Sequence, residues 1–138
     1  MKKIQQRTNQ KGFTLIELLV VVIVLSILSV VALPKFMDLE EGAALSSAEG
    51  VAAALSSGST MNHALNKASD AGVLDNPADL VEVLNCTDVE DTLETGLPEG
   101  YTINNGNIAG AEGTMRDNCV LNGDSGATAN FVAHKVFL

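Results

Sequence analysis

Apolar and polar residues are unevenly divided along this chain. Residues 12–34, GFTLIELLVVVIVLSILSVVALP, form an almost unbroken apolar run whose one charge is Glu17. From residue 13 to residue 33 there are 21 residues. Wound as a helix at about 1.5 Å per residue, they extend about 31 Å, close to a bilayer core of about 30 Å. Beyond Pro34 the pattern changes. Phe36, Leu39, Ala43, Val51, Leu55 and Met61–Asn62 recur at roughly helical spacing, while Asp38, Glu40, Glu41 and Glu49 fall mostly elsewhere around the cylinder. Pro34 lacks an amide hydrogen and is expected to kink or locally open the helix, which then resumes. The helix is expected to end near residues 67–72, where Lys67 suits the carboxyl end of the dipole and Gly72 is a plausible cap.

The remaining chain is shorter in period and richer in turns. Asn76-Pro77-Ala78-Asp79 reads as the start of a second helix, with Leu80, Val81, Val83 and Leu84 as its buried face. The acidic stretch after it, Asp88, Glu90, Asp91, Glu94 and Glu99, reads as a solvated loop or frayed helix. Calcium binding is the sharper alternative there, but no calcium-loop pattern is present. Residues 96–100 form a turn and residues 101–103 a short strand. Asn104-Asn105-Gly106-Asn107 is a turn, and residues 115–121 are a strand. A further turn at 122–126 precedes a last strand or strand pair over 127–138. The expected fold class is α+β: a long N-terminal helix packed on a small antiparallel sheet of three or four strands.

Composition changes the picture in two ways. The chain has 138 residues and is 46% hydrophobic, but much of that sits in the one run. The soluble core must therefore be small and needs help from the helix, a disulfide or neighbouring subunits. Charge is also divided. Lys2, Lys3, Arg7 and Lys11 all precede residue 13. Without them, four basic residues face 17 acidic ones, a side-chain balance of −13. Such a surface repels nucleic acid backbones and argues against DNA or RNA as a partner. The same asymmetry places residues 1–12 in the cytoplasm and residues 35–138 outside, by the positive-inside rule.

Cys86 and Cys119 both follow the apolar run. An even count in an exported chain favours a disulfide; the alternative is two reduced, separately buried thiols. Closing a loop of about 34 residues contributes roughly 4 kcal/mol in the chain-entropy model. Zinc would need two further ligands, and His63 and His134 lack ligand spacing to the cysteines. No nucleophile motif, phosphate loop or metal cluster is present, so neither an enzyme nor a cofactor is expected. Both histidines read as structural, His63 exposed or partly so near the helix end and His134 on the last strand.

The apolar run is longer than the core of an ordinary signal peptide and ends without a small-residue cleavage site. The unusual junction precedes it, at Lys11-Gly12-Phe13. A carboxylate at membrane depth is costly and is usually paired or functional. Were Phe13 a free N-terminus, its ammonium would lie near the depth of Glu17 and could neutralise the Glu17 of a neighbouring molecule.

Lys11-Gly12-Phe13-Thr14-Leu15-Ile16-Glu17-Leu18 resembles the processing and methylation motif of type IV prepilins, and the resemblance continues to Pro34. The segment from Pro34 to Leu39 looks more specifically like the mannose-sensitive haemagglutinin type of pilin. One departure is Ser26, where many members carry glycine. Its hydroxyl can return to the carbonyl four residues back and bend the helix slightly.

The resemblance implies a cleaved leader over residues 1–12, a transmembrane and filament-core helix over 13–34, and a headpiece over 35–138. It implies cleavage between Gly12 and Phe13 by a prepilin peptidase that also methylates Phe13. Glu17, Phe13 and Pro34 would serve assembly, and Cys86 with Cys119 would form the headpiece disulfide. The implied partners are identical subunits in a helical filament, the pilus assembly machinery and, before assembly, the inner membrane. The competing readings are a type II secretion pseudopilin, a minor pilin or adhesin, and a monomeric membrane-anchored protein. The major pseudopilin type is expected to lack such a disulfide and to carry calcium.

Overall fold

The computed structural model describes residues 12–74 and 80–138. They divide into two compact units, with the boundary after Asp38. A single α-helix, α1 (Leu15–Asp70), supplies most of the first unit and the opening of the second. Its 56 residues end at Asp70, within the stretch where the sequence places the helix end. The helix is continuous through Pro34, which leaves the carbonyl of Val30 without its usual amide donor. Ser26 and Ser29 donate their hydroxyls to the carbonyls of Val22 and Leu25, both at 2.7 Å. The return bond foreseen for Ser26 is therefore present.

The end of α1 follows from one glycine. Gly72 takes a φ of 68°, a conformation that side chains with a Cβ rarely adopt. The chain then doubles back, so that the Val73 amide donates to Ala68 O and the Gly72 amide to Ser69 O. This pair of bonds is the Schellman arrangement, and it satisfies two carbonyls that a helix end leaves open.

In the second unit three strands form an antiparallel sheet in the order β1 (Thr102–Ile103), β2 (Met115–Asn122), β3 (Thr128–His134). The β2–β3 register shifts between Arg116 and Cys119, a local bulge. Leu55, Val83, Val89, Ile108, Leu121, Phe131 and Val136 are buried together with Cys86 and Cys119. The long helix on a small antiparallel sheet is thus the expected α+β arrangement.

Three expectations are corrected. The buried face of α1 is only in part the one read from the sequence. Leu55 and Asn62 are buried and Val51 half-buried as that reading has it, but Phe36, Leu39, Ala43 and Met61 are exposed, and Ala48, Ala52, Ser59 and Asn66 are buried instead. Small and polar side chains win this face because the sheet presents backbone donors to it. The Val132 amide donates to Ser56 Oγ at 3.0 Å and the His134 amide to Ser59 Oγ at 2.8 Å. β3 is an edge strand, and these serines occupy donors that β2 leaves open. Asn62 does the same further along, accepting from the Val81 amide and donating to Val81 O.

Second, residues 80–85 are not helical. Val83 forms an isolated bridge with Val136, and Asn85 one with Asn107. Backbone bonds to distant segments replace helical ones there: Val83 exchanges both bonds with Val136, just past β3, and Leu84 O accepts from the Ile108 amide. The cap expected at Asn76, Pro77 and Asp79 lies outside the described residues. Third, the acidic stretch is solvated only in part: Glu90, Asp91, Glu94 and Glu99 are exposed, but its first segment is a helix packed on the core. Cys86–Thr92 is a 3-10 helix with Val89 fully buried. Its start is held by Asp88, whose Oδ2 accepts from the amides of Leu84 and Asn85 at 2.9 and 2.8 Å. That carboxylate is a capping group rather than a solvated charge.

Candidate functional site

The first unit presents one chemical feature, the start of α1, and one physical feature, the surface that follows it. Thr14 is the residue before the first helical turn and Glu17 lies three residues on. Glu17 Oε2 accepts from the Thr14 amide and from Thr14 Oγ1, both at 2.9 Å. Thr14 Oγ1 in turn receives the Glu17 amide at 3.4 Å. This is a capping box, two orphan donors satisfied reciprocally. It is not among the sequence-based expectations, although T-x-x-E before an apolar run is its sequence signature. All of these carboxylate bonds use Oε2 and stay within the chain.

Gly12 and Phe13 precede the cap, and Phe13 is 92% exposed. Among the described residues, no atom lies within 4 Å of where a Cβ on Gly12 would stand. The fold around residue 12 would therefore accept a larger side chain. From Leu15 to Leu33 every large apolar side chain is between 49 and 83% exposed. The helix is long and apolar enough to cross a membrane by length and composition, with a mean hydropathy of 3.0 in its most apolar stretch. An apolar surface of this extent marks contact with lipid or with other protein.

The second unit holds the disulfide. Cys86, at the start of the 3-10 helix, is joined to Cys119 on β2, with Cα atoms 5.6 Å apart. It ties the segment after α1 to the sheet, as expected. Arg116 donates to Asn107 O at 2.6 Å and to Asn118 Oδ1 at 2.9 Å, pinning the loop beside it. Lys67 is drawn to Asp70 and Glu112 at 3.1 and 3.0 Å; the bond to Glu112 first, then that to Asp70, raises its pKa above the ordinary lysine value. Among the described residues, no three His, Cys, Asp or Glu side chains gather where they could hold a metal ion.

One pairing had no signal in the sequence. His63 on α1 and His134 at the end of β3 stack face to face, centroids 5.2 Å apart and planes 8° from parallel. Nδ1 of each ring is buried without a hydrogen-bond partner. Burial, and secondarily the neighbouring His63, lowers the pKa of His134.

Gly12, Phe13 and Glu17 are thus together at one helix end, Pro34 lies within the same helix, and the cysteines are joined in the other unit. Residues 7–33 match the family model described as "Prokaryotic N-terminal methylation motif". Over 47 residues the chain is 45% identical to the type IV narrow pilus major component PilA5 of Thermus thermophilus. That match covers 34% of this chain and 40% of the other, so the chain spans well under half the length of the curated relative it matches. No solved structure matches. In its N-terminal region, where the exposed apolar helix and the Thr14–Glu17 cap stand, the chain is type IV pilin-like and carries an N-terminal methylation motif.

Proposed function

We propose that this protein is a structural, non-enzymatic subunit of a type IV pilus, acting by polymerisation through the apolar half of α1. The observation that carries the reading is an unbroken, exposed apolar helix surface directly behind a methylation motif. An ordinary anchor accounts for the apolar surface but not for Glu17 or the Lys11-Gly12-Phe13 junction. In this reading residues 1–12 are a leader and residues 13–34 pass from the inner membrane into the filament core. Residues 35–138 are the headpiece on the extracellular pilus. A prepilin peptidase cuts between Gly12 and Phe13 and methylates Phe13. The open surroundings of Gly12 support this, since its small size then answers to the enzyme rather than to the fold.

Assembly rests on charge. Apolar faces associate without register, because the hydrophobic effect is non-directional. The Glu17 carboxylate of one subunit and the terminal amine of another supply the register. A misplaced subunit leaves a buried charge unpaired, at a cost of several kcal/mol. The headpiece disulfide favours a pilus subunit over the major type of secretion pseudopilin, which the family pattern expects to lack it. The likeness of residues 34–39 to the mannose-sensitive haemagglutinin type supports that subtype as the finer form of the proposal.

The test is mass spectrometry of the protein recovered from sheared surface filaments. The expected N-terminus is Phe13, heavier by one methyl group, with the protein abundant in the filament fraction. Protein recovered with Gly12 still joined to Phe13 would refute the reading.

A further inference from the structure

The geometry points to a second device in the headpiece: the stacked His63 and His134 form a proton-operated latch between α1 and the end of β3. The latch is closed while His134 is neutral and opens locally when it takes up a proton. It stands whether or not the protein is a pilus subunit. The rings come from positions 71 residues apart and meet where α1 passes the last strand. Beside them the His134 amide donates to Ser59, the Lys135 amide to Thr114 O, and the Gly113 amide to Lys135 O. A Cβ at Gly113 would stand 3.0 Å from His63 Cε1, so the 111–114 turn packs directly on the ring. Opening the stack therefore loosens α1, the turn and β3 together.

Protonation acts on this stack through charge. Two imidazolium rings at 5.2 Å repel, and a buried Nδ1 that gains a proton becomes a donor with nothing to receive it. Of the charged groups on the packed elements, Asp117 on β2 and Glu82 beside the Val83–Val136 bridge are exposed, and the others are engaged elsewhere. On α1 Lys67 is held by Asp70 and, from the 111–114 turn, by Glu112. Arg116 on β2 is bonded to Asn107 and Asn118, and Lys135 after β3 lies over the Phe137 ring. Among the described residues no carboxylate forms an ion pair with either imidazole. Parallel rings also hold their nitrogen lone pairs in parallel planes, which do not converge on one metal ion. The sign of the effect follows from the folded state favouring neutral His134. The unfolded chain binds the proton first, near the ordinary histidine value of about 6.5. Stability from the latch is full above that value and is lost as pH falls below it toward the lowered value of the folded protein.

The test is amide hydrogen exchange on the full chain in detergent micelles at about pH 7.5 and about pH 5.5, corrected for intrinsic rates. Protection at residues 113 and 134–136 is expected to fall about tenfold or more at the lower pH, with residues 52–55 and 119–121 unchanged. His134→Phe keeps a flat ring without a titrating nitrogen and is expected to abolish that step. His63→Phe serves the same purpose if the first variant does not fold. Equal loss in the wild type and the phenylalanine variants would overturn the latch. So would imidazole resonances that titrate independently at the ordinary value, or a zinc-dependent shift of both rings in the neutral range.

Discussion

The two halves of α1 share one backbone geometry and solve opposite problems. Up to Asp38 the helix is mostly apolar and its large side chains are exposed. Beyond Leu39 it is dense in Ala, Ser, Gly and Asn, and one narrow stripe is buried. The first half tolerates any apolar neighbour, and in the proposed filament Glu17 would carry the directional information there. The second half has little apolar area to bury, and Leu55 is its one large, fully buried side chain. It gains its register from serine and asparagine bonded to named backbone atoms of the segments it covers. Hydrophobic surface supplies adhesion, and polar groups within it supply position.

The contrast can be broken most severely at Glu17. Glu17→Ala is expected to leave processing and membrane insertion intact and to reduce filaments to few or none, scored by electron microscopy of sheared material. Thr14→Ala sharpens the result. It removes the capping hydroxyl, at a cost of about 1 kcal/mol, but keeps the carboxylate. If charge pairing sets the register, Thr14→Ala retains filaments that Glu17→Ala loses. Equal loss in both variants would assign Glu17 to the cap alone.

In the second half the largest single loss is expected at Leu55. Leu55→Ala should cost about 2–5 kcal/mol, because the side chain is fully enclosed in the headpiece core. Denaturant unfolding of the headpiece signal measures it, and a change near zero would mean the stripe is held by its polar bonds alone. A smaller and opposed pair of effects is expected at two glycines of the same helix. At Gly58 a Cβ would stand 2.5 Å from Thr92 Oγ1, so Gly58→Ala should destabilise by about 1–3 kcal/mol. At Gly50 nothing lies within 4 Å, so Gly50→Ala should stabilise by up to about 1 kcal/mol. The same sign at both positions, read as a shift in unfolding midpoint, would show that glycine serves helix propensity and not close approach.

Much of this molecule is legible in the residues themselves. The apolar run, its length against a bilayer and the lone Glu17 follow from composition along a line. The helix end at Gly72 is legible because a positive φ is largely a property of one residue type. The disulfide is legible because only two cysteines exist. The capping box is written in Thr14-Leu15-Ile16-Glu17, but a carboxylate at that depth reads first as a charge to be neutralised and only second as a cap. The buried face of α1 misleads for a different reason. Large apolar side chains mark a core only where the facing surface is apolar, and here it is the edge of β3.

The sequence by itself determined where apolar surface and charge lie along the chain, where α1 stops and which cysteines can join. Those properties belong to single residues or near neighbours, so chain order suffices to state them. Only the tertiary structure decided that Ser59 is buried with Ser56 half-buried beside it, that Asn62 bonds to the Val81 backbone, that residues 80–85 are not helical, and that His63 meets His134. Each depends on a donor or ring supplied by a distant segment, and no periodicity within one segment encodes which partner the fold will bring to it.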